Sequence, residues 1–69
     1  MMGQAAREIS TTRDRFNAKE LYAATNGVRL ALGLEKLGAT TLDMVREALI
    51  GSGALRVEGH GRARSYGVV

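Results

Sequence analysis

Four side chains near the end of the chain, Arg56, His60, Arg62 and Arg64, could do chemistry by type and spacing. Three guanidiniums on one short segment can each neutralise a phosphate. The segment is also where charge is unbalanced. Residues 1–51 hold seven basic and six acidic side chains, whereas residues 52–69 hold Arg56, Arg62 and Arg64 against Glu58 alone, in a chain of net charge +3. A local positive field of this kind points to a polyanionic partner. His60 has no second His and no carboxylate cluster beside it, so no metal site is expected there.

Catalytic arrangements are poorly supported. A nucleophile and base would require Ser10, Ser52 or Ser65 to meet His60 in a concave site, and a domain of 69 residues has little room for one. Gly59 and Gly61 lack the strand-to-helix setting and the Lys-Ser or Lys-Thr of a phosphate loop. The sequence therefore predicts no catalytic residues and no cofactor.

The basic segment reads as a hairpin. Leu55 and Val57 alternate with Arg56 and Glu58, and Ala63 and Ser65 alternate with Arg62, Arg64 and Tyr66. A loop of Gly59-His60-Gly61 would pair Val57 with Ala63 and Arg56 with Arg64, sorting apolar from charged faces. Gly61 would supply the left-handed residue, and Arg56, Arg62, Arg64 and Tyr66 would share the outer face, with His60 at the tip.

Upstream, Asn17-Ala-Lys-Glu20 is a capping box, and Phe16 with Leu21 makes a hydrophobic staple around it. A helix is predicted over about 18–25, ended by Asn26-Gly27. A second, buried over much of its girth, spans Val28 to Leu37 and closes at Gly38. A third runs over 41–51, capped by Thr40 or Thr41, with Asp43 in its first turn and Leu42, Val45 and Leu49 as its buried stripe. Gly51-Ser52-Gly53 stops it. Gly38-Ala39-Thr40 would be the tight turn between the second and third helices, making a helix-turn-helix. Residues 1–15, with Ile9 as their one substantial apolar anchor, are expected to form a flexible N-terminal arm. The domain is then 16–69, an α+β fold of three helices followed by a two-stranded β-hairpin wing.

A chain this short buries only about 60% of its unfolded surface, so a homodimer or bound partner is expected to add stability. No Cys is present, Met1 to Ile9 does not read as a signal peptide, and no run approaches the roughly 18 apolar residues of a membrane span. A cytoplasmic protein without membrane association is expected.

Val45-Arg46-Glu47-Ala48-Leu49, preceded by Glu35-Lys36-Leu37-Gly38 and followed by a Gly-led basic hairpin, resembles the winged helix-turn-helix of GntR-type bacterial repressors, over about residues 28–67. That resemblance implies double-stranded DNA binding, with helix 41–51 in the major groove and the wing, 54–68, on the backbone or minor groove. It implies that Thr40, Thr41 and Asp43 face the bases, that Arg46 binds phosphate, and that Arg62 and Arg64 lie in the wing. Asp43 would be repelled by phosphate, so its first expected role is to cap. The process served would be transcription regulation, or a plasmid or phage accessory function. The exposed side of helix 41–51 is nearly neutral, which keeps open an alternative, a winged-helix module docking to a larger protein. Double-stranded RNA is a weaker third partner.

Overall fold

The chain, described over residues 1–69 in a computed structural model, is organised around the start of its second helix. Asn17 Oδ1 accepts the Glu20 amide at 2.8 Å, and Glu20 Oε1 accepts the Asn17 amide at 3.1 Å, so the expected capping box is formed. Phe16 and Leu21 on either side of it are both buried in the core. This helix, α2, spans Ala18–Ala31, preceded by α1 (Met2–Ser10) and followed by α3 (Ala39–Gly51). The strands β1 (Leu55–Glu58) and β2 (Ser65–Val68) complete the chain, with a single 3-10 turn, Gly61–Ala63, between them.

Three helices and a hairpin are present as expected; the helices predicted over 18–25 and 41–51 fall within α2 and α3, while α1 takes the place of the one predicted over 28–37. Asn26-Gly27 does not stop α2. Gly27 keeps helical dihedrals, and the Asn26 side chain instead clasps the backbone of Leu37, accepting its N–H at 2.8 Å and donating to its carbonyl at 3.3 Å. The helix ends at Gly33, whose φ of 77° allows a Schellman closure. There Gly33 N–H bonds Leu30 O at 3.0 Å and Leu34 N–H bonds Arg29 O at 2.8 Å. The predicted helix over 28–37 is thereby split, its first turn joined to α2 and its remainder an irregular connection. Leu30 and Leu32, expected inside, are 53% and 62% exposed. The short Gly38-Ala39-Thr40 turn is replaced by the longer connection over 32–38.

Residues 1–15 are not an arm. Met2, Ala5 and Ala6 are buried in α1, and Met2 and Ala6 join Phe16, Leu21, Leu42, Leu55 and Tyr66 in one core. Met2, Ala5, Ala6 and Ile9 fall at helical spacing, but the alanines carry little hydrophobic signal of their own. The radius of gyration is 11.3 Å with α1 included, close to the roughly 11 Å expected of a compact chain this long.

α3 begins two residues earlier than its threonines suggested. Gly38 occupies the cap position with no side-chain bond, and Thr40 and Thr41 lie exposed in the first turn. Leu42 is buried, and Val45, Leu49 and Ile50 pack against the core. A second Schellman closure ends it, with Gly53 at φ 83° and Ala54 N–H bonding Leu49 O at 3.0 Å.

The hairpin register differs from the expected one. Leu55 pairs with Val68, Arg56 with Gly67, Val57 with Tyr66 and Glu58 with Ser65, so the loop runs from Gly59 to Arg64. This register turns Leu55, Tyr66 and Val68 onto the core, with Val57 on the same side but 36% exposed, a larger apolar set than Ala63 and Ser65 would have provided. Tyr66 is consequently a core residue, 2% exposed, rather than a member of an outer face with Arg56. Gly59 and Gly61 both take positive φ, as the tight loop requires.

Phe16 forms one further ladder rung. Its N–H bonds Tyr66 O at 3.0 Å and its carbonyl accepts the Tyr66 N–H at 2.8 Å, an antiparallel bridge on the free edge of β2. The order is thus helix, bridge, helix, helix, strand, wing, strand, which is a small winged helix. No helix is long and apolar enough to cross a membrane.

Candidate nucleic-acid interface

The Phe16–Tyr66 bridge holds the start of α2 beside the wing, and a cleft of about 370 Å³ opens between them. Lys19 lines it from the first turn of α2, Arg46 from α3, and Arg62 and Arg64 from the wing, with Tyr66 alongside. Four cations converge and no carboxylate lines the cleft. Such a concavity suits one or more phosphate oxygens.

Nearby carboxylates are already paired, two of them with the cleft residue Arg46. Glu20 pairs with Arg13, and Glu58 is shared between Arg15 at 2.8 Å and Arg56 at 3.2 Å. Asp43 and Glu47 both lie against Arg46, at 3.6 and 3.4 Å. Lys19, Arg62 and Arg64 take part in no ion pair. Their charge is therefore open to an external anion.

Arg46 is differently placed. Its side chain is 15% exposed, and its guanidinium lies 5.9 Å from the Tyr22 ring centre and 5.6 Å from that of Tyr66. Nη1 donates to the Tyr22 hydroxyl at 2.9 Å, that hydroxyl donates to Asp43, and Nε is buried without a partner. Burial, then the bond to Asp43, push the Tyr22 hydroxyl up from 10.0 to about 12, with Arg46 pulling the other way. Burial opposes the Arg46 charge as well, but Tyr22, Tyr66 and Asp43 outweigh it and hold the guanidinium above its ordinary range. Arg46 thus stays protonated on one wall of the cleft, its charge already met by Asp43 and Glu47.

The residues singled out in the sequence divide accordingly. Arg62, Arg64 and Arg46 meet in the cleft. Arg56 stands apart, folded over Gly67 and donating to Glu58 and, at 2.9 Å, to the Val68 carbonyl. His60 is exposed just before the 3-10 turn and does not line the cleft. Asp43 does not cap α3; no acidic residue lies in its first turn, and the carboxylate binds Tyr22 and Arg46 instead. Thr40 and Thr41 are exposed at the start of α3, away from the cleft-lining set. Lys19 escaped sequence reasoning, because only the Phe16–Tyr66 bridge, a contact distant in sequence, brings the α2 start to the wing.

The fold defines the class, a winged helix with a cationic cleft between its second helix and its wing. No family model matches the chain, and no curated protein or solved structure shows significant similarity to it.

Proposed function

We propose that this chain binds double-stranded DNA, laying α3 into the major groove while Lys19, Arg62 and Arg64 grip the flanking phosphates. The observation that carries the reading is the convergence of these three unpaired cations with Arg46 on one carboxylate-free cleft. α3 is compatible with it in leaving Thr40, Thr41 and Met44 exposed to solvent. Such a protein would serve in the cytoplasm as a small transcriptional regulator or as a plasmid or phage accessory factor.

Mobility-shift titration of random duplex DNA at several salt concentrations tests the proposal. Each phosphate contact contributes about 0.9 to the slope of log affinity against log salt, so three contacts give a slope near 3. Replacing Lys19, Arg62 and Arg64 together by Ala should remove most of it. A salt slope unchanged by that triple substitution would overturn the cleft assignment.

A second reading, docking to a protein partner or a second copy, is favoured by the leucines left open at the end of α2. Leu30, Leu32 and Leu34 are 53%, 62% and 39% exposed. Size measurement of the wild-type chain and of a variant with all three replaced by Gln discriminates the two. A dimer lost in the variant together with DNA affinity would make self-association part of DNA binding.

A further inference from the structure

The last turns of α2 carry a recess and projections side by side. A groove of about 410 Å³ runs between α1 and α2, lined by Ala24, Val28, Ala31 and Leu32, with Gln4 and Glu8 along its α1 rim. Next to it Leu30 and Leu34 stand exposed. At about 100° per residue, Gly27 falls about 60° from Leu30 on one side and about 40° from Ala31 on the other. Exposed and without a side chain, it leaves room for another backbone to come close. The charges that border this face are Glu8, Arg29, Glu35 and Lys36, and their signs cancel. Arg29 is turned onto the Glu35 carbonyl and the Met1 sulfur, and the other three take part in no ion pair.

A two-fold association needs one surface that holds both a projection and the recess that receives it. This face meets that condition, and its balanced charges do not repel a copy of themselves. The chain also exposes 4491 Å², against roughly 4,200 Å² for a monomer of its mass. We infer that a second copy of this chain covers the face, the two copies related by a two-fold axis and each seating Leu30 and Leu34 in the groove of the other. The inference rests on the docking reading above and names its partner. The cationic cleft stays open in such a dimer, because it lies at the first turn of α2, roughly 20 Å from the last.

Sedimentation equilibrium of the full chain, over a concentration series reaching the millimolar range, tests this. Wild type should rise to twice the monomer mass. A leucine variant, Leu30→Gln with Leu34→Gln, loses the projections but keeps the groove, and a groove variant, Ala31→Arg, does the reverse. Each alone should stay at the monomer mass. Mixed in equal amounts they regain one of the two seatings, so the mixture should associate at least about tenfold more tightly than either variant alone. All three substituted positions are exposed, so circular dichroism should not change; a gain on mixing shows in addition that both variants are folded. A wild type that stayed monomeric throughout would overturn the inference and leave docking to a different protein standing. No gain on mixing would overturn the reciprocal seating. A dimer that persisted in the leucine variant would overturn the docking reading itself.

Discussion

Tyr22 and Arg46 meet across the junction of α2 and α3, the guanidinium donating to the phenol oxygen at 2.9 Å while its carbon lies 5.9 Å from the ring centre. The hydroxyl passes its own proton toward Asp43, one turn before Arg46 on the same helix. A single side chain on α2 therefore fixes two residues of α3. The long connection between the helices makes this cross-link the more important.

Replacing Tyr22 by Phe keeps the ring and removes both bonds. Bonds to charged partners contribute about 1.5–3 kcal/mol when buried, and this partly open pair should lie toward about 1 kcal/mol. The loss should depend on pH. The folded chain holds the Tyr22 proton up to about 12, against 10.0 for the ordinary group, so the unfolded chain releases it first as pH rises. The associated stability is complete below pH 10 and declines toward about pH 12. Urea midpoints across that window should fall more steeply in wild type than in Tyr22→Phe. Equal slopes would contradict the assignment.

Met2→Ala tests whether α1 belongs to the folded body. Truncating a buried methionine costs about 2–5 kcal/mol, a large part of the roughly 3–10 kcal/mol available to a chain of this length. Met2 is 2% exposed, so thermal melting should shift sharply downward. An unchanged melt would return residues 1–15 to the role of a dispensable arm.

The two wing glycines should differ in cost. A Cβ on Gly59 would sit 2.5 Å from the Ala63 carbonyl oxygen at a φ of 82°, whereas one on Gly61, at φ 55°, meets nothing within 4 Å. Gly61→Ala should cost about 1 kcal/mol from left-handed strain alone. Gly59→Ala must also displace backbone and should cost more. Denaturation midpoints ordered the other way would refute the loop geometry.

Arg56 and Arg62, both expected to share a phosphate-facing surface, should behave differently on DNA. Arg62→Ala should lower the salt slope by about 0.9, while Arg56→Ala should leave it unchanged, since that guanidinium is committed to Glu58 and Val68. Salt-dependent fluorescence anisotropy with labelled duplex would resolve the two.

Local chemistry was readable from the sequence, and competition between similar local signals was not. The Asn17–Glu20 box and the Gly51-Ser52-Gly53 stop each depend on neighbours within one turn. Asn26-Gly27 reads as a helix stop, yet the helix continues to Gly33 while Asn26 bonds Leu37, a contact no local pattern reveals. The hairpin likewise alternates in either register. Packing of Tyr66 on the core and its bridge to Phe16 selected one, and that selection carried Tyr66 inward and set Arg62 and Arg64 against Lys19. The arginine imbalance thus located half of the cleft, and the other half required the tertiary fold.

The bridge between Phe16 and Tyr66 is made of main-chain atoms. Its alignment of the two cleft walls is accordingly indifferent to which side chains those walls display. Lys19, Arg62 and Arg64 can be exchanged for residues of other charge or shape while the gap between them keeps its width. The winged scaffold thereby separates the dimension of its binding site from the chemistry of that site, leaving ligand preference free to change by single substitutions without refitting the frame.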